Sequence, residues 1–157
     1  MNQIDKRIEE LGLKLPKPVA PVANYVPYVQ TGHQLFISGQ VSVTADGELI
    51  KGRLGEDLDV ARGQAAARAC ALNLIAQMKA ACAGDLTRVR RIVKVGGFVN
   101  ALPTATDLDI PKIINGCSDL LVEVFGEVGK HARFAVAAPA LPLDVAVEID
   151  CVVELTA

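Results

Sequence analysis

The sequence predicts an α+β fold in which two long helices cover one face of a mixed β-sheet. Two observations carry this prediction. Segments with helical spacing of apolar residues alternate with β-branched segments, in the order helix, strands, helix, strand, helix, two strands. The composition is 51% hydrophobic but only 4% aromatic, which favours a core of Val, Ile, Leu and Ala. A length of 157 residues predicts a single domain.

The N-terminal half predicts a short helix and then a strand. Apolar residues recur at helical spacing over residues 2–11, and Gly12 ends the helix. With the LPKPVAP connector, this helix forms an appendage to the core at residues 2–19. The segment QLFISGQVSV has a strand composition interrupted at Gly39, which predicts a bulge or a close approach to the backbone. The following TADGEL segment predicts a turn.

The middle of the chain predicts the two long helices and the strand between them. An alanine-rich helix is expected at 58–83, close to the sheet because its side chains are small. Residues 88–100 predict a strand in which a Gly-Gly pair bulges the chain or clears space. The second long helix is predicted to have Asp109 as its cap and Pro111 in its first turn, and to end at Gly129.

The C-terminal segment predicts two strands, at 132–138 and 145–155, joined by the turn APALPLD. The second strand alternates apolar and polar residues, so Glu148 faces away from its aliphatic row. The sheet face opposite the helices remains rich in apolar residues and needs a cover. The apolar excess indicates that some of this surface is hidden between subunits.

Charge and hydropathy exclude some functional classes. A net charge of −2 and a pI near 5.7 disfavour a nucleic-acid surface, which normally needs a basic face. The start MNQIDKRIEELGLKL is amphipathic and mixed in charge, unlike a secretory signal. The uncharged stretch at 18–45 contains three prolines and several polar residues, which argues against a membrane helix. A cytoplasmic protein with no membrane partner is expected.

The cysteines predict reduced, buried thiols. Their spacing matches neither a CxxC pair nor a zinc site, and free cysteine is readily buried. The four are Cys70, Cys82, Cys117 and Cys151.

Common catalytic motifs are absent from the sequence. There is no GxSxG, and neither His33 nor His131 has a neighbouring nucleophile arrangement, so His131 is interpreted as a surface turn residue. GEVGK at 126–130 is too short for a phosphate loop and follows a helix. No metal or dinucleotide motif occurs, so neither a metal nor a cofactor is predicted.

Arg133 is the most informative residue, because it is the only Lys or Arg after Lys130 and lies in an apolar strand. A guanidinium in such surroundings needs an anion. If the two C-terminal strands form a hairpin, Arg133 lies near Glu148. Two interpretations remain open: a salt bridge without chemistry, or an arginine that binds a substrate carboxylate while Glu148 orients water or a proton-bearing group.

The sequence resembles the Rid family, also called YjgF or L-PSP endoribonuclease-like proteins, over roughly residues 20–157. The resembling residues are PYVQ at 27–30, FISGQV at 36–41, Asn115, and GKHARFAVAAPALPLDVAVEIDCVVEL at 129–155. The long C-terminal motif is the most specific of these.

The resemblance implies a chorismate-mutase-like fold, assembled as a homotrimer with a barrel-like sheet core and clefts between adjacent subunits. It implies an enamine/imine deaminase that hydrolyses small 2-iminoacids to 2-ketoacids and ammonia. Arg133 would bind the substrate carboxylate, and Glu148 would position the attacking water. The other residues that the resemblance places at the site are Tyr28, Ser38, Gly39, Asn115, Phe134 and Ala135.

The chain departs from the family pattern at Phe134, where a small polar residue is usual, and at Ala135, where many members have Cys. The N-terminal helix and the segment around 101–111 are also extra, as in a longer subfamily. Two other functions are considered. One is a non-catalytic binder of small carboxylates such as ketoacids. The other is the ribonuclease or translation-inhibitor activity in the family name, which the acidic balance disfavours.

Overall fold

The computed structural model describes residues 1–18, 20–104 and 109–157. The elements in the described residues are α1 (Gln3–Glu10), β1 (Tyr28–Thr31), β2 (Gln34–Val41), α2 (Val60–Ala81), β3 (Val89–Asn100), α3 (Asp109–Phe125), β4 (Ala132–Ala138) and β5 (Val147–Leu155). The α+β prediction and all predicted elements are confirmed, with ends that shift by at most four residues. α3 begins at Asp109, so the prediction of Asp109 as the cap is wrong: it lies in the first turn, where an acidic side chain favours a helix start. Part of the extra segment at 101–111 lies outside the described residues.

The strands form one mixed sheet in the order β1-β2-β5-β3-β4. β4 runs parallel to β3, and the other neighbours are antiparallel. The predicted hairpin of β4 with β5 is therefore wrong, because β3 lies between them. The reason is the β3–α3–β4 order: a strand, a helix and a strand form a crossover unit whose strands are parallel.

Both long helices lie on one face of the sheet, as predicted. Their apolar residues join the core-facing residues of β2, β3 and β5 in one buried cluster. The buried alanines of α2 fit its close approach to the sheet. Gly97 clears space for α3, because a Cβ there would lie 2.7 Å from Cδ1 of Ile114.

The opposite sheet face is open in the single chain. Several large apolar side chains on its strands are at least about a third exposed: Val29 (54%), Phe36 (43%), Phe98 (38%), Phe134 (36%) and Val136 (43%). Large exposed apolar side chains on an open sheet face are typical of an interaction surface.

The N-terminal helix α1 docks on the helix layer through buried Ile8 and two polar contacts. Arg7 Nε donates to the carbonyl oxygen of Glu123 at 2.9 Å, and Lys79 pairs with Asp5 at 2.8 Å. Asn2 caps the helix by accepting from the backbone N–H of Asp5. None of the helices in the described residues is long and apolar enough to cross a membrane.

Candidate functional site

Arg133 lies on β4, the edge strand next to α3, and its side chain points towards that helix. Its Nη1 group donates to Asn115 Oδ1 at 2.8 Å and to Ser118 Oγ at 3.2 Å. These two acceptors lie three residues apart on α3, which places them on the same helix face. The helix layer therefore holds one end of the half-buried guanidinium with neutral groups.

No carboxylate among the described residues forms an ion pair with Arg133. The charged pairs in this part of the chain all involve other residues, and both recorded side-chain acceptors of Arg133 bind Nη1. The edge formed by Nε and Nη2 thus has no protein acceptor within the described residues. That edge presents two parallel N–H donors, the geometry that binds a carboxylate bidentately.

The predicted proximity of Arg133 and Glu148 within one chain is wrong. Across β3, Arg133 aligns with Val95 and then with Cys151, which faces the core, whereas Glu148 aligns with Phe98 on the open face. Because side chains alternate along a strand, Arg133 and Glu148 lie on opposite faces of the sheet. A salt bridge between them within one chain is excluded by this geometry.

Ser118 and His131 extend the Arg133 contacts. His131 Nδ1 lies 2.7 Å from the carbonyl oxygen of Gly129, and Nε2 lies 2.9 Å from Ser118 Oγ. His131 lies in the connection from α3 to β4, as its interpretation as a turn residue predicts, but it is half-buried and its ring is hydrogen-bonded on both nitrogens. Neither Ser118 nor His131 was singled out as a site residue. The sequence signal for them is indirect: Ser118 shares a helix face with Asn115, and this helix leads over to the strand of Arg133, with His131 just before that strand.

Glu148 lies on the open sheet face beside a cavity of about 390 Å³. Gly39, Phe98, Leu141 and Asp150 also line this cavity. Burial, and secondarily the nearby Asp150 carboxylate, raises the pKa of Glu148 above its ordinary value. A carboxylate with a raised pKa in a cavity is a candidate for water or proton handling.

Gly39 is the point where β2 makes room for Glu148. The β2–β5 register shifts between Ile37 and Gln40, which confirms the predicted bulge. A Cβ on Gly39 would overlap the Glu148 carboxylate and approach its Cδ at 3.2 Å. The FISGQV segment therefore positions the carboxylate by having no side chain at this residue.

The remaining predicted site residues fall on different parts of the sheet. Tyr28 packs against the core at the β1 edge, and Ser38 Oγ donates to the carbonyl oxygen of Val26 at 2.8 Å. Ala135 is half-buried and packs against the core. Phe134 lies on the open face, where its ring meets Phe98 edge-on at 5.5 Å between centroids.

One chain therefore assembles two separate groups. The first, here called the arginine group, consists of Arg133, Asn115, Ser118 and His131 on β4 and α3. The second, here called the glutamate group, consists of Glu148, Gly39 and Asp150 on the open face. Tyr28 lies on β1 and Ser38 lies on β2. Strands β5 and β3 lie between these two strands and β4.

The four cysteines do not provide an exposed nucleophile. All four cysteines are free and buried, as predicted. Burial raises the pKa of Cys117 to about 12, and Arg133 opposes that shift only in part. No cluster of three metal-ligating side chains occurs in residues 1–18, 20–104 and 109–157.

The fold and the C-terminal motif define a protein of the YjgF class. Residues 5–157 match the family described as "YjgF/chorismate_mutase-like, putative endoribonuclease". The chain belongs to this family, and the predicted resemblance to Rid proteins is confirmed.

Particular relatives resemble nearly the whole chain. Protein TCP17 of Trypanosoma cruzi is 49% identical over 155 residues, which covers 98% of this chain and 95% of the relative. The crystal structure of Atu1372 from Agrobacterium tumefaciens, a protein of unknown function, is 43% identical with a TM-score of 0.89, covering 98% of this chain and 92% of that one. A "putative endoribonuclease" from Shewanella oneidensis is 39% identical with a TM-score of 0.91, covering 98% of this chain and 100% of that one.

Proposed function

We propose that this protein is a deaminase that hydrolyses small 2-iminoacids or their enamine tautomers, of the 2-aminoacrylate type, to 2-ketoacids and ammonia. The observation that carries the proposal is the Nε/Nη2 edge of Arg133, a bidentate donor pair without a carboxylate partner among the described residues. A partly buried guanidinium held in place by neutral acceptors is suited to an anionic ligand. A ligand carboxylate is the simplest such partner.

The site is proposed to be completed between copies of the chain in a homotrimer. Arg133 and Glu148 cannot meet within one chain, whereas the open face carries exposed Phe36, Phe98 and Val136 that association would bury. In this arrangement Arg133 of one copy and the glutamate group of another line the same cleft. Tyr28 and Ser38 would contribute from the second copy.

The proposed chemistry needs little machinery. The carbon of a protonated imine is already electrophilic, so a positioned water can add to it without a metal or cofactor. Glu148 would accept a proton from that water, and the backbone N–H and C=O groups at 134–135 would orient the water and the imine. In the tetrahedral adduct, Glu148 would return this proton to the nitrogen, the C–N bond would break as ammonia leaves, and the adduct hydroxyl would release its proton to water to give the 2-ketoacid.

An imine-trapping assay tests the activity. An amino-acid oxidase generates the iminoacid, and semicarbazide captures what is not hydrolysed. We expect the protein to lower the initial rate of semicarbazone formation, while a heat-denatured sample leaves it unchanged. Unchanged trapping kinetics with native protein would contradict the proposal.

A second candidate function is carboxylate binding without turnover. It is favoured by the observation that the arginine group is assembled within one chain, whereas Glu148 is not near it. Thermal stabilisation by 2-oxobutanoate together with unchanged trapping kinetics would support this function. Turnover in the trapping assay would exclude it.

The pH dependence tests the role of Glu148. Since Asp150 contributes to the raised pKa of Glu148, Asp150→Asn should lower that pKa. Glu148 acts as a carboxylate, so the acidic limb of the kcat/KM profile should move to lower pH. Burial is the larger cause and persists, so the pKa should stay above that of an ordinary glutamate.

The measurement compares kcat/KM across pH for the wild-type protein and the Asp150→Asn variant with the same imine. Ionisation of the substrate contributes equally to both profiles, so their difference reports the protein group. An acidic limb that stays in place, or moves to higher pH, would contradict the assignment of Glu148.

A further inference from the structure

The hydrogen bonds around Ser118 have defined directions. The carbonyl oxygen of Gly129 can only accept, so His131 Nδ1, at 2.7 Å, must carry the proton of this contact. In the neutral imidazole, Nε2 is then an acceptor, and the Ser118 hydroxyl donates to it over 2.9 Å. The lone pairs of Ser118 Oγ remain to accept from Arg133 Nη1 at 3.2 Å.

These contacts form a chain of donors that runs from Arg133 through Ser118 to His131 and ends on the backbone. Each contact fixes the donor or acceptor role of the next group. The carbonyl oxygen of Gly129 sets the tautomer of His131, His131 sets the direction of the Ser118 hydroxyl, and that hydroxyl accepts from the guanidinium. Linked hydrogen bonds of this type reinforce one another. All three side chains are half-buried, so water competes less for them than on an open surface.

The anchored end of Arg133 decides which edge the guanidinium presents. Asn115 and Ser118 both bind Nη1, so the planar group is fixed at one corner and its Nε/Nη2 edge is directed away from them. An arginine side chain loses considerable rotamer freedom when it binds. A guanidinium that is already held loses less of that freedom, which raises its affinity for a carboxylate.

We propose that Ser118 and His131 are positioning residues for ligand binding, which hold the Arg133 guanidinium with its Nε/Nη2 edge ready for a carboxylate. This inference rests on the proposed function and adds residues that act through Arg133. The alternative is that Ser118 and His131 only stabilise the connection from α3 to β4.

The first measurement needs no ligand or turnover. In the wild-type protein, the Arg133 Nε–Hε signal, assigned with the Arg133→Lys variant, should show a rigid side chain by ¹⁵N relaxation. Ser118→Ala and His131→Ala should each make this signal more mobile, and Ser118→Thr, which keeps the hydroxyl, should restore it. His33→Ala is the matched control, because His33 is an exposed turn residue outside both groups.

The second measurement is binding of 2-oxobutanoate by calorimetry. Ser118→Ala removes one acceptor that holds the guanidinium but no contact to the ligand itself, which predicts a rise in Kd of about fivefold. For the imine, KM should rise by a similar factor with kcat nearly retained. Ser118→Thr should bind within about twofold of wild type, on the same scale.

The outcomes separate this inference from the proposed function. Unchanged Arg133 mobility in both alanine variants overturns the inference whatever the activity is, as does a Ser118→Thr variant as weak as Ser118→Ala. Increased mobility and weaker 2-oxobutanoate binding in a protein that turns over no imine supports the inference and defeats the deaminase proposal. A wild-type protein that binds no 2-oxobutanoate overturns the inference, because Arg133 then holds no carboxylate, whereas the trapping assay alone decides the deaminase proposal.

Discussion

Replacing Arg133 with alanine is expected to abolish imine hydrolysis, and replacing it with lysine is expected to lower kcat/KM by about 100- to 1000-fold. Lysine keeps the positive charge but has no planar pair of N–H donors, so it cannot bind a carboxylate bidentately. It also cannot reproduce the two Nη1 bonds to Asn115 and Ser118 with the Nε/Nη2 edge still available. The lysine variant therefore separates geometry from charge.

The measurement is the initial rate in the trapping assay, together with size-exclusion chromatography and a melting curve for each variant. Arg62→Lys is the matched control, because Arg62 is exposed on α2, away from the sheet. It should retain wild-type activity. An Arg133→Lys variant with nearly full activity would show that charge alone is sufficient, and an active Arg133→Ala variant would remove Arg133 from the mechanism.

Local features of the fold could be predicted from the sequence, because each depends on neighbours in the chain. The alternation along β5 placed Glu148 away from the aliphatic row, and the structure agrees. Gly39 interrupted a strand-forming segment and proved to be the site of a register shift. Arg133 was identified because a cation in an apolar strand requires partners.

The pairing of β4 and β5 could not be predicted from local signals. The residues between them contain two prolines and resemble a hairpin turn, but they cross to the far side of β3. Which strand lies at the centre of a sheet depends on the burial of the whole face. The β3–α3–β4 order was the available clue to a parallel pair.

The arginine group was only partly predictable for a related reason. Asn115 was found through the resemblance, whereas Ser118 and His131 depend on how α3 is rotated over β4. That rotation is fixed by the packing of α3 against α2. The contact between these helices therefore determines the site as well as the stability.

Gly116→Ala is expected to destabilise the protein by about 1–3 kcal/mol, although alanine is the better helix former by about 1 kcal/mol. Gly116 lies within α3, and a Cβ there would meet the backbone of α2, with the carbonyl carbon of Gln64 at 2.9 Å and its Cα at 3.0 Å. Backbone atoms cannot rotate away as a side chain can, so the two helices would have to separate.

For a domain of this size, the corresponding drop in Tm is roughly 2–12 °C, measured by differential scanning calorimetry at fixed protein concentration. Gly63→Ala is the matched comparison, because its Cβ would meet the side chain of Ile113, at 2.7 Å, and not the backbone. It should cost less than Gly116→Ala. A Gly116→Ala variant with an unchanged or higher Tm would contradict a close backbone contact between α2 and α3.

The same substitution should also affect ligand binding, because Gly116 lies between Asn115 and Ser118 in the chain. A shift of α3 away from α2 moves both acceptors relative to β4, so the hold on Arg133 should loosen. We therefore expect Gly116→Ala to weaken 2-oxobutanoate binding and to increase the mobility of the Arg133 Nε–Hε signal. Gly63→Ala, whose effect falls mainly on the Ile113 side chain, should change both much less. Equal binding losses in the two variants would indicate that general destabilisation, and not the position of α3, weakens the site.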